Sequence, residues 1–422
     1  MKLSENQKRR LIYPFAYIYV FFQSTLTRLK SFGKKEKLHF AEPYGGQKIL
    51  LIALFEKGQI REDVRIALEA AKVQGVYVVG VNTLKIDQPD GCREFIDCYI
   101  ERFNFGRDFG SYKTGFEYLY TNGLAEKCPR LLMINDSVFF SKKHISNFLR
   151  DMFVDDVEIL GATENHEIEH HLGSFCIAMS NKIINSDKVK RYWRRYQCSD
   201  VRPLVIKKGE MGLSKVLRAA VSRGDGYAAL YDVTRALEIL RSDPVVLEEL
   251  ATLIRSSKLH WNTYLFKTVL DSIVKKYGYC KLSVTRGQVA LENKQMDEVE
   301  LDFGVMTSEL KAIAAKIFAN TDAVNESLNH VIEQEIISNF ADCFSNGSQI
   351  HQNAAFLHKI GLAFVKLDGL YRGAFNYEDV EIIAKDLAPE QQNTFRRLMF
   401  SRPYGKTVYY GWKRVAFDFG LI

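Results

Sequence analysis

The sequence lacks several features that would place it in a special class of protein. Its seven cysteines include no CxxC pair and no zinc-type spacing, and an odd, scattered set argues against a disulfide framework and favours a reducing compartment. The longest apolar run, residues 11–22, is shorter than the about 20 residues needed to cross a bilayer. No small-residue cleavage site follows this run, as a signal peptide would require. Internal repeats and low-complexity tracts are also absent.

Net positive charge is confined to the N-terminal segment. The chain has 422 residues and a formal net charge of +7. Residues 1–37 contain nine basic and two acidic residues, which accounts for all of this excess. Residues 38–422 are therefore formally neutral, and the sequence predicts no nucleic-acid partner for the body of the protein.

The N-terminal segment has the pattern of a helix that lies in a membrane interface. After Pro14, apolar residues recur at helical spacing: Phe15, Ile18, Phe22, Leu26 and Leu29. Tyrosines and a basic rim accompany them, as is typical of interfacial helices. The sequence thus predicts that residues 1–37 bind a membrane surface and that the protein is cytoplasmic, peripheral on the inner face of the cytoplasmic membrane. The alternative is a helix that packs on the protein's own body.

Short apolar segments alternate with helical segments over residues 47–180, which predicts an α/β fold with a mostly parallel sheet flanked by helices. From residue 186 onward the pattern is mainly helical. We expect three regions: a basic N-terminal segment and linker (1–46), the sheet domain (47–290) and a mainly helical C-terminal domain with an aromatic, basic tail (291–422).

Two stretches carry residues suited to ligand binding. Residues 106–110 form a glycine-rich turn between a strand and a helix, where Arg107 and Lys113 are suited to phosphate. Asp108 could accept hydrogen bonds from a base or a ribose hydroxyl. A tight turn with a surface salt bridge is the alternative interpretation.

The second stretch is Asn135-Asp136-Ser137, which follows the apolar strand of residues 130–134. Ligands of open α/β sheets bind at the carboxyl ends of strands. These side chains are suited to hold a sugar hydroxyl, or a magnesium or manganese ion that bridges phosphates. All three residue types also cap helices, which is the alternative.

Together the two stretches resemble nucleotide-sugar glycosyltransferases of the GT-A type, and more closely the rhamnan synthesis protein F family of polysaccharide glycosyltransferases. The resemblance covers about residues 48–290. The matching residues are Gly106-Arg107-Asp108-Phe109-Gly110-Ser111-Tyr112-Lys113, Gly115, Asn135-Asp136-Ser137-Val138-Phe139, Gly161, Thr163, His171-Leu172, Ser174-Phe175, Trp193 and Glu210-x-Gly212-Leu213-Ser214, with a looser match at Leu259-His260-Trp261, Lys281 and Arg286.

The resemblance implies transfer of a hexose, by analogy L-rhamnose, from a nucleotide-sugar donor to a cell-surface polysaccharide or lipid-linked glycan acceptor. The implied roles are nucleotide or diphosphate binding by Arg107, Asp108 and Lys113, sugar binding by Asn135, Asp136 and Ser137, pocket walls at His171 and Ser174, and a general base at Glu210 or at Glu164, Glu167 or Glu169.

The sequence departs from the family pattern in three places. Gly173 stands where the family usually has Gln, and Phe140-Ser141 stands where it has Gly-Pro. The resemblance also implies a divalent cation, Mg²⁺ or Mn²⁺, bound by Asp136. Ser137 occupies the position of the second metal-binding carboxylate of many GT-A enzymes.

Two hypotheses from other classes remain open. His166-Glu167-Ile168-Glu169-His170 satisfies the H-E-x-x-H pattern of zinc hydrolases, which requires a helix that places both histidines on one face. Alternatively, the chain is a non-catalytic module that binds a nucleotide or acts as a scaffold in a membrane complex.

Overall fold

The structure is a computed structural model that describes residues 5–154, 156–253, 326–401 and 405–422, with a few short stretches between residues 254 and 325. The chain forms two compact units. The first, which we call the sheet unit, comprises Met1–Asn165, Glu169–Leu230 and Gly361–Ile422, and the second comprises His166–Ile168 and Tyr231–Ile360.

An eight-stranded sheet forms the centre of the sheet unit, with strand order β1-β4-β3-β2-β5-β10-β7-β11. Its strands are β1 Lys37–Ala41, β2 Ile49–Leu54, β3 Tyr77–Asn82, β4 Cys98–Glu101, β5 Arg130–Asn135, β7 Ile159–Gly161, β10 Cys176–Ser180 and β11 Tyr227–Ala229. The short strands β6 Val138–Phe140, β8 Glu164–Asn165 and β9 His171–Leu172 lie outside this sheet. Strands β4, β3, β2 and β5 are parallel, as are β7 and β11, whereas β1 and β10 run antiparallel to their neighbours.

Helices pack on the sheet because its central strands are apolar on both faces. Every residue of β2, β3 and β5 is buried, as expected for interior parallel strands. The helices of this unit before residue 231 include α1 Glu5–Ser31, α2 Glu62–Val73, α3 Arg107–Thr121, α4 Leu124–Lys127, α5 Ile145–Met152, α6 Asn181–Ile184, α7 Asp187–Arg195, α8 Arg202–Leu204 and α9 Met211–Ala220. Helix α3 lies directly on β2, where a side chain at Gly115 would collide with Leu51.

The predicted α/β class is confirmed, and the predicted strands and helices of residues 47–180 are present. Differences occur where pairing depends on distant residues. Part of the segment predicted as a linker forms the edge strand β1 against β4. Helix α3 begins at Arg107, within the glycine-rich turn of residues 106–110. In the region from residue 186 onward, where a mainly helical pattern was predicted, residues 227–229 form β11, which adds to the sheet beside β7.

The end of the chain also belongs to the sheet unit. After the second unit come β15 Phe364–Lys366, and α15 Tyr377–Asp386, α16 Pro389–Phe400, α17 Gly405–Val408 and α18 Gly411–Asp418. Strand β15 pairs antiparallel with β6. The predicted boundary at residue 291 therefore places residues 361–422 in a different domain from the sheet, although they belong to the same compact unit.

The second unit has its own helices and a small apolar core. Its elements are α10 Val233–Ser242, α11 Pro244–Leu253, β12 Lys281–Thr285, β13 Gln288–Glu292, β14 Val299–Glu300, α12 Glu326–Phe344, α13 Gln349–Gln352 and α14 Ala354–Lys359. The rings of Phe340 and Phe356 pack 4.7 Å apart. The helices predicted over residues 259–276 and 307–320 lie largely outside the described residues. The matches at Leu259-His260-Trp261 and Arg286, and the side chain of Lys281, also lie outside them.

Helix α1 is half covered. Ala16 and Val20 pack against Val201, Ala416 and Leu421. The opposite side exposes large apolar side chains: Leu11, Phe15, Ile18, Phe21, Phe22, Leu26 and Leu29. In the part of the chain that the structure describes, no helix is both long and apolar enough to cross a membrane.

Candidate functional site

A strained turn starts the candidate site. Gly106 and Arg107 both have left-handed backbone conformations, with φ of 88° and 53°. Asp200 holds this turn, because its carboxylate accepts from Gly106 N (2.8 Å) and its carbonyl accepts from Arg107 Nε (3.0 Å). A non-glycine residue at positive φ carries strain that is common at functional sites. The turn places Asp108 in the first turn of α3.

The two stretches singled out in the sequence meet at the end of β5. Asn135 Nδ2 donates to Asp108 Oδ2 over 2.7 Å. Asn135 Oδ1 accepts from the hydroxyl of Ser137 over 2.6 Å and from Ser137 N over 3.2 Å. The amide of Asn135 therefore joins a carboxylate on α3 to a hydroxyl that follows β5.

Lys366 extends this chain of hydrogen bonds. Its ammonium donates to Ser137 Oγ over 3.0 Å and lies 4.4 Å from the centre of the Phe175 ring. Strand β15 positions it, since Lys366 is the partner of Val138 in β6. Sequence reasoning missed this residue, because Lys366 is separated from Ser137 by 229 positions and belongs to no motif considered.

Glu210 and His171 form a second pair. His171 Nε2 lies 3.7 Å from Glu210 Oε2, and His171 Nδ1 lies 2.8 Å from the carbonyl oxygen of Glu169. A carbonyl only accepts, so Nδ1 must carry a proton. Burial raises the pKa of Glu210, but the neighbouring His171, Lys366 and Arg202 outweigh it and leave the pKa below its usual value.

A distorted helix carries Glu210. Residues Val205–Glu210 form a π-helical segment between α8 and α9, and such segments are frequent at functional sites. Tyr192 fixes the segment by donating to the carbonyls of Lys208 and Gly209, both at 3.1 Å. Gly209 lies against the ring of Phe109, where a Cβ would come within 2.9 Å. The distortion is thus anchored to the core of the sheet unit.

Two arginines add positive charge. Burial lowers the pKa of Arg202, although Asp368 and Glu210 raise it. Burial likewise lowers the pKa of Arg107, and Asp108 opposes this. Arg372 pairs with Asp368 over 2.7 Å.

These groups form a charged cluster beside the end of β5, which we call the recess. Its members are Arg107, Asp108, Arg202, Glu210 and Lys366, each partly exposed, yet burial is the largest influence on the pKa of every one of them. Burial raises the pKa of Asp108, whereas Lys366 and Arg107 lower it. The guanidinium groups of Arg107 and Arg202 and the ammonium of Lys366 are suited to bind a phosphate. The carboxylates of Asp200 and Asp368 also act on these cations.

Asp136 lies beside this recess but turns toward β2. Its carboxylate accepts from Phe55 N over 2.5 Å, and burial together with the neighbouring Glu56 raises its pKa well above the usual range. Arg61 donates to the carbonyl of Asp136 over 3.0 Å and lies 3.2 Å from Glu56. The carboxylate is thus part of a network that joins β2 to the end of β5.

The remaining predicted residues make other contacts. Lys113 donates to the carbonyl of Tyr196 over 2.9 Å. Glu164 lies 3.0 Å from His170 Nε2, and Glu169 pairs with Lys215 over 2.8 Å. Ser174 is buried in the turn between β9 and β10. None of these contacts connects them to the chain of Asp108, Asn135, Ser137 and Lys366.

The H-E-x-x-H segment does not form the helix that a zinc hydrolase requires. Residues 166–170 are an irregular connection between β8 and β9, which pair antiparallel. Arg218 Nη2 lies 2.8 Å from His170 Nδ1. A guanidinium only donates, so Nδ1 accepts this hydrogen bond, and Nε2 carries the proton that faces Glu164. The two histidines are therefore not presented on one helical face.

Comparisons with curated proteins give two relatives that share part of the chain. The uncharacterized protein y4gN of Sinorhizobium fredii (strain NBRC 101917 / NGR234) is 25% identical over 226 residues, 51% of this chain and 58% of that protein. The virulence protein VirA of Vibrio anguillarum (strain ATCC 68554 / 775) is 29% identical over 149 residues, 35% of this chain and 45% of that protein. The chain thus spans about half the length of these relatives.

Among solved structures, the chain is similar to the glycosyltransferase GlyE of Streptococcus pneumoniae TIGR4. The similarity has a TM-score of 0.27 and 11% sequence identity, and covers 50% of this chain and 52% of that chain.

The sequence model of a protein family, rhamnan synthesis protein F, matches residues 76–347 of the chain. This range includes Asp108, Asn135, Ser137 and Glu210, and it ends before Lys366. A match over more than half of the sequence shows that the chain belongs to the rhamnan synthesis protein F family.

Proposed function

We propose that this protein is a glycosyltransferase that moves a hexose from a nucleotide-sugar donor to a polysaccharide or lipid-linked glycan acceptor. The observation that carries the proposal is the chain of hydrogen bonds that links Asp108, Asn135 and Ser137 to Lys366 at the carboxyl end of β5. Family membership and the order of parallel strands that surround the recess support a GT-A-type donor site.

The cationic groups of the recess would stabilise the departing nucleoside diphosphate. Negative charge develops on the bridging oxygen as the glycosidic bond to the donor breaks, and fixed cations at that point lower the barrier. Arg107, Arg202 and Lys366 are suited to this role because the fold holds them before a ligand arrives. Asp108 and Asn135 would hold hydroxyls of the donor, since Asp108 retains acceptor capacity and Asn135 retains one N–H donor beyond their mutual hydrogen bond.

Glu210 is the general base that we propose for the acceptor hydroxyl. Its lowered pKa keeps it ionised at neutral pH, and it shares the recess with Lys366. Glu164 and Glu169 are less suited, because they pair with His170 and Lys215. His171 would orient Glu210 and stabilise its charge.

The exposed side of α1 would bring the enzyme to its acceptor at the membrane. Phe15 is 65% exposed and Ile18 63% exposed, and an apolar face of this size on a helix with basic residues favours an anionic lipid surface. Trp412 extends the face from α18, where it stacks on Tyr19 at 6.3 Å. We propose peripheral binding at the cytoplasmic side of the membrane.

A direct test combines nucleotide binding with turnover. The full chain would be screened against a panel of nucleotide-sugars with lipid-linked glycan acceptor, and released nucleotide would be measured. Asp108→Asn should lower turnover about 100-fold or more, because it removes the carboxylate that would accept from a donor hydroxyl and position the sugar. Asp90→Asn changes an exposed carboxylate that pairs with Arg93, and this variant should behave as wild type. Binding without turnover by any acceptor would favour a non-catalytic nucleotide-binding module instead.

A further inference from the structure

Lys366 places a positive charge at the end of β5, beside Ser137. Its ammonium donates to Ser137 Oγ over 3.0 Å, and Ser137 stands at the position of the second metal-binding carboxylate. The cation–π contact with Phe175 holds the other side of the ammonium. The charge is therefore fixed at the end of β5 by two contacts and by the pairing of β15 with β6.

The residues of the strand-end motif do not fit a divalent cation. Magnesium and manganese prefer several ionised or neutral oxygens with free lone pairs. The Asp136 carboxylate accepts from Phe55 N and turns toward β2, while Asn135 Oδ1 already accepts from Ser137. Within the described ranges, no group of three carboxylate, imidazole or thiol ligands close enough to share an ion includes Asp108 or Asp136.

Positive charge in the recess argues in the same direction. Lys366 and Arg107 both act on Asp108, and Lys366 and Arg202 both act on Glu210. A dication beside Ser137 would be repelled by the Lys366 ammonium that donates to this hydroxyl, whereas a diphosphate would be attracted by it. Guanidinium groups bind phosphate oxygens in pairs, and an ammonium binds them as a compact point charge.

We propose that Lys366 replaces the divalent cation of the donor site. Its ammonium binds the diphosphate of a nucleoside diphosphate together with Arg107 and Arg202, and donor binding requires no metal ion. This inference rests on the proposed function, because it names the counter-ion of the same donor site. Transfer of the sugar would then leave the diphosphate neutralised by side chains of the chain itself.

The test measures nucleoside diphosphate binding by calorimetry on the full-length protein, without any acceptor. UDP, dTDP and GDP would be titrated into protein stripped with EDTA, and again with excess Mg²⁺ or Mn²⁺. We expect the dissociation constant of whichever nucleotide binds to agree within about twofold between the two conditions. A tenfold or larger loss of affinity in EDTA that metal restores would overturn the inference and leave the proposed function standing.

Two lysine variants sharpen the result. Lys366→Met should weaken binding in EDTA about tenfold or more, because it removes a charge-assisted contact with phosphate. Lys142→Met is the matched control, since Lys142 follows the same strand β6 but pairs with Glu390 at the surface, and its affinity should be unchanged. Wild-type affinity in Lys366→Met would overturn the inference. Thermal melting shows whether this variant is folded, and if it is not, the EDTA titration of the wild type decides. If none of the three nucleotides binds with or without metal, the proposed function fails together with this inference.

Discussion

Glu210→Gln separates chemistry from donor binding. The substitution keeps the shape of the side chain but removes its negative charge and most of its basicity. A positioned general base typically contributes about 10²–10⁴-fold to the rate, equivalent to about 3–5 kcal/mol of activation free energy. We therefore expect turnover to fall at least about 100-fold.

Donor affinity, unlike turnover, should not fall in the Glu210→Gln variant. Glu210 lies close enough to Lys366 and Arg202 for their charges to lower its pKa, so its loss leaves the recess more positive. Nucleoside diphosphate binding should consequently be unchanged or tighter. The assay is steady-state release of nucleotide from the donor, alongside calorimetric titration of the nucleotide alone.

Matched controls are available among the other candidate bases. Glu164→Gln and Glu169→Gln change carboxylates that pair with His170 and Lys215, and we expect both variants to retain turnover within about twofold, as surface ion pairs contribute little. Glu210 is not the base if its variant stays within about fivefold of wild type. A parallel loss of nucleotide binding and thermal stability would instead show that Glu210 maintains the recess.

The pH dependence follows from the direction of the pKa shift. A carboxylate whose folded pKa is depressed contributes stability above its unfolded value of about 4.3, and that contribution is lost as pH falls through the folded pKa. Ionised Glu210 should therefore sustain turnover across neutral pH. A rise in activity between pH 6 and 8 that Glu210→Gln abolishes would contradict this assignment.

Three further variants test other parts of the structure. Ser137→Asp should weaken metal-free nucleotide binding about tenfold, because the new carboxylate would pair with Lys366, and calorimetry would show it. Asp136→Asn should leave nucleotide binding intact and raise the free energy of unfolding at pH 8 by about 1 kcal/mol. The pKa of Asp136 is raised in the folded state, so the native protein loses stability as the pH rises from the unfolded-state pKa of this carboxyl toward its folded-state pKa. Equal pH profiles of the two proteins in urea unfolding would contradict this. Phe15→Glu with Ile18→Glu should reduce sedimentation with anionic liposomes about tenfold without changing nucleotide binding, as both side chains are exposed on α1; unchanged sedimentation would exclude this face as the membrane contact.

The sequence predicted most of the sheet because local pattern decides it. The apolar segments at β2, β3 and β5 are buried on both faces, and such runs are typical of central parallel strands. The turn at residues 106–110 and the polar residues after β5 follow from the same order of elements. Strand β1 was not predicted, since its pairing with β4 depends on residues about 60 positions apart.

The direction of individual side chains could not be read from the same patterns. Lys113 is five positions after Asp108 on α3, about 140° around the helix, and it contacts Tyr196 rather than the recess. Neighbouring residues at a strand end point to opposite faces. Asn135 accordingly meets Asp108, whereas Asp136 meets Phe55.

By itself the sequence determined the α/β alternation, the family and the residues at two strand ends, because these depend on short-range pattern and motif spacing. Only the tertiary structure decided the composition of the recess. Lys366 reaches Ser137 because β15 returns to pair with β6, and Glu210 reaches His171 because a π-helical segment carries it there. Contacts between such distant residues arise from chain topology, which local propensity does not encode.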